Sequence, residues 1–388
     1  MGKETVLVCG CDGYIGSALT LRLLEEGYNV IGIDNLLRRD TVKEMNSFSA
    51  IPIMEMYEKE KELKKMGSFS FFYSDIAIDI EDLSFIFKNN DINTVINLAQ
   101  QPSAPYSQIS RIHTEETTVN NIIGTLNILY CMREFSPESH LVQIGSMGEY
   151  QVNVNTDIAE GIFEFEFNNR KSKTSIFPRR PGSFYHASKV ASTYYIDCAC
   201  RFWDIKATDI MQGVVYGNWT PEIERTGIQT RLDSDECFGT VINRFIVQSL
   251  IGVPLTVYGK GLHKRGFLAL NDSVQCLMLA VRNIPAKGEY RTWNQLDEVF
   301  SMNEIADTVI DVSRELDFTT TKTYIDTPRV EVIDDHYYNP ITEKIINLGF
   351  KQTRTMRDEI KYSFDTILKS GNNVSKLIDV VIPKIMWK

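Results

Sequence analysis

The feature that most constrains this chain is a glycine turn set between an apolar run and a stretch with the period of a helix. Thr5 to Gly10 reads as a strand buried on both faces, and Tyr14 to Glu26 as the helix that follows it. Between them stands Gly10-Cys11-Asp12-Gly13-Tyr14-Ile15-Gly16, a G-x-x-G-x-x-G sequence. Each glycine has a mechanical task in that setting. The first permits a tight turn, the second lets backbone approach a pyrophosphate on the helix N-terminus, and the third lets helix and strand pack closely. Asn29 to Ile33 is a second apolar run, ending at Asp34, 18 residues past Gly16, where an acid can hold a ribose diol. The unit is β-α-β in about thirty residues, the opening of a doubly wound parallel sheet that binds a dinucleotide. Tyr14, Ile15 and Asn35 flank the same site. Asp34 would repel a 2′-phosphate, which favours NAD over NADP. Arg38 and Arg39 stand close by, for the pyrophosphate or for that phosphate.

The alternation continues, so the fold class expected is α/β, a Rossmann-type sheet with a smaller C-terminal substrate-binding domain. Further strands are expected at Phe69–Tyr73, Thr94–Leu98, His140–Ile144 and Lys206–Met211. Helices are expected at Ile80–Lys88, Ser107–Phe135 and Phe184–Phe202. Residues 1–212 form the dinucleotide domain and 213–388 mainly the substrate domain, with parts of 238–296 returning to the first. Asp75-Ile76, just past the third strand, either meets the adenine or caps the next helix. Two stretches break the rhythm, 36–67 and 151–181, and either could cover the site as a lid. In the first, Met54–Met66 carries Glu55→Lys59 and Glu60→Lys64 at helical spacing and reads as a solvated helix. In the second, Phe163, Phe165 and Phe167 alternate with Glu164 and Glu166, the period of a half-buried hairpin strand. A long polar loop, 218–236, precedes a helix and a short strand at Leu255–Val257.

Composition excludes several classes. Lys plus Arg number 41 against 51 Asp plus Glu, a net charge of −10, which argues against a nucleic-acid surface. No apolar run approaches the roughly eighteen residues of a membrane span, and Met1-Gly2-Lys3-Glu4 does not open a secretory signal. The seven cysteines are an odd number, and no pair has the C-x-x-C spacing of zinc or redox sites. Free thiols, no metal and a reducing compartment, the cytoplasm, are the reading.

Catalytic chemistry is suggested by Tyr185-His186-Ala187-Ser188-Lys189, where Tyr185 and Lys189 share a helix face at i and i+4. A phenol titrates near about 10. A lysine ammonium and a bound nicotinamide cation favour its phenolate, which can take a hydroxyl proton as hydride leaves the same carbon. Ser146 follows the fifth strand at the sheet edge where such folds bind ligands, and its hydroxyl could hold the same oxygen.

Together with Asn121 in "NNIIGTLN", these residues resemble the extended short-chain dehydrogenase/reductase superfamily, over nearly the whole chain. The finer resemblance is to its UDP-sulfoquinovose synthase branch. It is carried by "DNLLRR" (34–39), "QPSAPYSQISR" (101–111), "GSMGEY" (145–150), "SFYHASK" (183–189), "ATDIMQGVVYG" (207–217), "FGTVINRF" (238–245), "PLTVYGKG" (254–261) and "PRVE…DHYYN" (328–339). One departure is visible: Pro102 stands where the plant-type enzymes place an arginine before "SAPY", which puts an anion contact there in doubt.

The resemblance implies a synthase that forms a carbon–sulfur bond, hydrolase- or lyase-like in class. It turns UDP-glucose and sulfite into UDP-sulfoquinovose, through 4-keto and 4-keto-5,6-ene intermediates, with tightly bound, recycled NAD. The sulfite could be delivered by another protein. Superfamily dehydratases resemble Thr-Asp-Glu where this chain has Ser146-Met147-Gly148, so the acid and base must come from elsewhere. Glu149 and His186 are the candidates, with Met147 an apolar wall near carbon 6. Cofactor contacts extend to Leu98, Asn121 and Gln212. Substrate contacts are expected from Gln101, Ser103, Gln212, Asn243, Thr256 and Tyr258, with Arg265 and Arg329 on the UDP diphosphate because arginine binds phosphate bidentately. Superfamily dimers pair two long helices, here near 107–135 and 184–203, so a homodimer is expected. The competing readings are a UDP-sugar 4-epimerase or 4,6-dehydratase, and a redox-sensing regulator that binds NAD(P) without turnover.

Overall fold

A computed structural model describes residues 4–150, 156–326, 329 and 337–386. Its strands run β1 (Thr5–Cys9), β2 (Asn29–Asp34), β3 (Phe69–Tyr73), β4 (Thr94–Asn97), β5 (His140–Ser146), β6 (Ile162–Phe167), β7 (Arg170–Ile176) and β8 (Lys206–Gln212). They continue as β9 (Val214–Tyr216), β10 (Leu255–Tyr258), β11 (Lys264–Ala269), β12 (Tyr290–Gln295), β13 (Glu298–Ser301) and β14 (Lys322–Ile325). Seven of them form one parallel sheet in the order β12-β8-β5-β4-β1-β2-β3. Side chains alternate faces along a strand, so β1 feeds two cores. Val6 and Val8 join Leu19, Leu23 and Leu277 on one face. Leu7 and Cys9 join Ile86, Ile128 and Ile196 on the other. This is the α/β architecture expected, and its order reverses between β1 and β4, where ligands bind such sheets.

The C-terminal lobe has a core of its own, with Phe245, Val257, Phe267, Ile305, Val309 and Phe364. It carries the sheets β13-β11-β9 and β10-β14. The chain then recrosses. The helix Leu270–Arg282 packs in the core beside the helix Tyr14–Glu25, and β12 pairs with β8 at the edge of the central sheet.

Three local expectations change. The stretch Ser107–Phe135 is not one helix. It runs Arg111–Thr118, then a π-helical turn Val119–Ile123, then Gly124–Phe135. The extra residue in that turn brings Asn121 inward, fully buried, onto the Gln101 backbone. The helix Met56–Met66 is not merely solvated. Glu60 and Lys64 pair at 2.7 Å, but Lys59 is buried on Asp12 and Glu55 pairs with Arg39. The β6/β7 hairpin is less buried than its alternation suggests, with Phe165 39% and Phe167 70% exposed. Among the described residues its root, Ile158, Phe163 and Phe177, packs beside Met147 and Tyr150, and Ile176 packs against the core of the central sheet.

At the seam of the two lobes the buried carboxyls of Asp272 and Asp297 lie close enough to perturb each other. Burial and the Asp272 charge push Asp297 up to about 9. The folded chain therefore keeps a proton that the unfolded chain releases near about pH 4. The stability from that proton is present in acid and lost as pH rises towards the folded value. Asp297→Asn is expected to flatten the fall in Tm between about pH 6 and pH 9, as measured by calorimetry.

Candidate active site

A cavity of about 470 Å³ opens where β1, β2, β3, β4, β5 and β8 end. Its floor is the glycine turn. Gly10 has φ +83°, and a Cβ there would lie 2.7 Å from the Ala99 amide nitrogen. On Gly16 a Cβ would lie 2.0 Å from the Gly10 carbonyl oxygen. The helix Tyr14–Glu25 starts at Gly13 with no side-chain cap, so its first N–H groups are offered to the cavity. That bare, positive helix end fits a dinucleotide pyrophosphate. Asp34 lines the same wall, accepting from the Asp12 amide at 2.9 Å and the Leu36 amide at 2.8 Å. Each carboxylate oxygen keeps a lone pair for a ribose diol. Burial and the neighbouring Asp12 push Asp34 up to about 6. Asp75 caps a turn through the Ala77 amide at 2.8 Å and holds Asn35 at 2.8 Å. Asn35, Asp75, Ile76 and Leu98 all line the cavity.

At the other end of the crevice stand Ser146, Met147, Tyr185, His186 and Lys189. Ser183 caps the helix Phe184–Trp203, its hydroxyl accepting from the His186 amide at 3.2 Å and meeting His186 Nδ1 at 2.9 Å. Ser146 faces the Tyr185 hydroxyl and opposes the rise of its pKa. Lys189 Nζ donates to the Ile144 carbonyl at 2.7 Å and to Gln100 Oε1, and lies 5.8 Å from the Tyr185 ring centre. Burial pulls Lys189 down to about 8, against the carboxylates of Glu149 and Asp209. Burial also pushes the Tyr185 phenol up, with the Glu149 charge adding to it and the Ser146 side chain opposing it. Burial, not the lysine, therefore dominates Tyr185 in the protein alone, and the phenolate needs more positive charge beside it than Lys189 supplies.

Gln101, Ser103, Gln212, Arg38 and Arg265 also line the cavity. Gln101 and Ser103 spend their side chains shaping the wall: Gln101 Nε2 donates to Thr117 at 2.7 Å, and Ser103 Oγ to the Cys237 carbonyl at 2.5 Å. Gln212 donates to Ser273 at 2.7 Å and Gln295 at 2.8 Å.

Seven residues expected at the site lie outside the cavity wall. Arg39 holds Asp12 at 2.7 Å and the Met54 carbonyl at 2.8 Å, which pins the first insertion to the glycine turn. Asn121 clamps Gln101 and Ser188 and supports the wall from behind. Glu149 turns away: one oxygen accepts from the Ser146 amide at 2.9 Å, and the other pairs with Arg179. Asn243 accepts from the Gly217 amide at 3.2 Å. Thr256 is tied to Gln248 at 2.9 Å inside the second lobe. Tyr258 is buried there, with the Arg329 guanidinium 4.9 Å over its ring. The block at 328–339, to which Arg329 belongs, lies mostly outside the described residues.

Spacing missed Arg231, Gln100 and Arg179. Arg231 lines the cavity from the loop expected to be merely polar, and grips Asp233 at 2.7 Å together with Arg38 at 3.1 Å. No local pattern marks such a pair. Among the described residues no helix is long and apolar enough to cross a membrane. No group of three or more His, Cys, Asp or Glu among them could hold a metal.

Residues 6–294 match the NAD dependent epimerase/dehydratase family. The UDP-sulfoquinovose synthase of Sulfolobus acidocaldarius is 38% identical over 387 residues, covering 99% of this chain and 97% of that protein. The chloroplastic UDP-sulfoquinovose synthase of Spinacia oleracea is 38% identical over 392 residues, covering 100% of this chain and 80% of that protein. A UDP-glucose 4-epimerase from Thermotoga maritima, solved with UDP-glucose, has the same fold, with a TM-score of 0.71 at 20% identity over 95% of this chain and 99% of that one. So does the Bacillus cereus UDP-glucuronic acid 4-epimerase, solved with UDP-glucuronic acid and NAD, with a TM-score of 0.70 at 20% identity over 94% and 99%. With the glycine cradle and the Ser146–Tyr185–Lys189 constellation at one sheet edge, the chain belongs to the NAD dependent epimerase/dehydratase family, in its UDP-sulfoquinovose synthase branch.

Proposed function

We propose that the chain converts UDP-glucose and sulfite into UDP-sulfoquinovose and water. One observation carries the reading at the site. A Cβ on Gly148 would lie 2.1 Å from His186 Nε2, so a side chain at 148 and the imidazole exclude each other. A superfamily dehydratase has its glutamate at that position, and here the imidazole fills the space. His186 replaces the carboxyl pair, and Glu149, facing the core, does not serve.

Gly10, Gly13, Gly16 and Asp34 would hold NAD, which would supply a hydride acceptor for carbon 4 that is regenerated within each turnover. Tyr185 takes the proton of the carbon 4 hydroxyl, Ser146 holds that oxygen, and Lys189 favours the phenolate. The ketone at carbon 4 acidifies the hydrogen on carbon 5. His186 removes that proton and delivers one to the carbon 6 hydroxyl, which leaves as water and gives the conjugated enone. Sulfite, entering as hydrogen sulfite, gives its proton to His186 and adds through sulfur at carbon 6; His186 passes that proton to carbon 5, and Tyr185 returns one to the carbon 4 oxygen. Met147, buried beside Ser146, keeps water from competing at carbon 6. Arg265, on the cavity wall, serves the UDP diphosphate.

Mass spectrometry of UDP-glucose with enzyme and NAD, with and without sulfite, tests this. A product heavier by the elements of sulfur dioxide, formed only with sulfite, supports it. A product of unchanged mass supports an epimerase, and loss of one water a plain dehydratase. Gly148→Ala is expected to push the imidazole aside. Nicotinamide absorbance should still report carbon 4 oxidation, while sulfonated product falls by about 10²-fold or more.

A homodimer is part of the proposal. Ile112, Tyr130, Tyr194, Tyr195 and Phe202 stand exposed on the helices Arg111–Thr118, Gly124–Phe135 and Phe184–Trp203, an apolar surface fit for pairing. A monomer by light scattering at micromolar protein would contradict it. The seven thiols are all unbridged, as suits a reducing compartment such as the cytoplasm.

A further inference from the structure

A guanidinium is buried where the steps above have no use for one. Arg179 leaves the second insertion just past β7 and enters beneath the catalytic helix, its side chain 1% exposed. It pairs with Glu149 Oε2 and donates to Thr193 Oγ1 at 3.0 Å. Glu149, fully buried, gives its other oxygen to the Ser146 amide at 2.9 Å. Thr193 stands one helical turn beyond Lys189 and donates to Asp209 Oδ2 on β8 at 2.7 Å, and the Tyr290 hydroxyl donates to the same oxygen at 2.9 Å. Glu149, Asp209 and Arg179 thus form one buried cluster drawn from three segments of the chain, Lys189 on the cavity wall feels its charge, and the four charges cancel when all are ionised.

Buried ions of this kind stand or fall as a set, because removing one leaves another uncompensated. Arg179 does not itself line the cavity, yet its partner Glu149 holds the backbone of Ser146. We infer that Arg179 is a positioning residue for carbon 4 oxidation: it keeps Glu149 a carboxylate, and through it keeps Ser146 seated and Lys189 charged. The electrostatics agree. Burial lifts Glu149 to about 7, with Arg179 the first charge opposing that rise. Glu149 is in turn the first charge opposing the fall of Lys189 to about 8. The charged groups facing Lys189 are Glu149 from the turn after β5 and Asp209 from β8, with Tyr185 on its own helix. The hairpin insertion is therefore tied to the catalytic dyad by a charge.

The inference rests on the proposed function only in taking Ser146, Tyr185 and Lys189 to oxidise carbon 4. Its test is the initial rate of nicotinamide reduction by UDP-glucose, without sulfite, as a function of pH. Arg179→Met should protonate Glu149 and move the alkaline limb of the profile down by about one pH unit. Glu149→Gln should move it in the same way, and Arg179→Lys should restore most of it. A uniform fall with the limb unmoved would overturn the inference, and so would an Arg179→Lys enzyme no better than Arg179→Met. If Arg179→Met does not fold, the double variant Arg179→Met/Glu149→Gln removes both charges together and should fold, with its limb still displaced. An undisplaced limb in that variant also overturns it. A chain that makes no sulfonated product yet shows these shifts would sink the sulfite reading and leave Arg179 in place.

Discussion

Tyr185→Phe is expected to abolish nicotinamide reduction by UDP-glucose while leaving NAD bound. Tyr185 lines the cavity beside Ser146, and its hydroxyl is the group proposed to carry the carbon 4 proton away. General-base catalysis by a positioned group contributes about 10²–10⁴-fold, which is roughly 3–5 kcal/mol of barrier. The ring stays buried and its packing against His186, 4.8 Å between centres, is retained, so the fold should not suffer. Stopped-flow absorbance after mixing holoenzyme with UDP-glucose measures the loss. A variant that still reduces the nicotinamide at more than about a tenth of the native rate would remove Tyr185 from its role.

Gly16→Ala has an effect of comparable size for a different reason. The new methyl would sit 2.0 Å from the Gly10 carbonyl oxygen and 2.9 Å from its carbon. Both are backbone atoms, so no rotamer change relieves the contact. That oxygen also accepts from the Gly13 amide at 3.1 Å, the bond that closes the turn. Overpacking of this kind costs about 1–3 kcal/mol even where side chains can yield, and here the cradle itself must open. The variant is expected to purify without NAD and to melt several degrees lower. Nucleotide released on denaturation, compared with the native protein, reads the first effect, and calorimetry the second.

What the sequence made legible was whatever is local. The strand–glycine–helix unit and the i, i+4 pair Tyr185/Lys189 need only a few adjacent residues, and they stand where spacing puts them. The capping signature Ser146-x-x-Glu149 was local too. Read as a capping box, it already turns Glu149 back toward its own backbone, and the structure has that box. Asn121, by contrast, reaches its partners through a π-helical turn that helical periodicity does not reveal. Arg39 was assigned to phosphate because Asp12 and Arg39, 27 positions apart, give no sign of meeting. The cluster of Arg179 with Glu149, Thr193 and Asp209 exists only once β5, β8 and the second insertion converge. The arginines show the same division. Among the four assigned to phosphates, Arg38 and Arg265 line the cavity, while Arg39 and Arg329 brace other groups.

The position of β12 governs how the molecule is made. Its register with β8 runs from Tyr290↔Ala207 to Gln295↔Gln212. On a ribosome adding about 5–20 residues per second, the first six strands of the central sheet emerge well before their last neighbour. During that interval β8 is an open edge with unpaired amides and carbonyls, the kind of template that recruits other chains. The second lobe cannot finish folding in that interval, because Ile305, Val309 and Phe364 of its core follow β12 along the chain. Cofactor capture and edge closure are thus separate events in its biosynthesis. A chain halted before Tyr290 would own a complete glycine cradle and still be the species most in need of a chaperone.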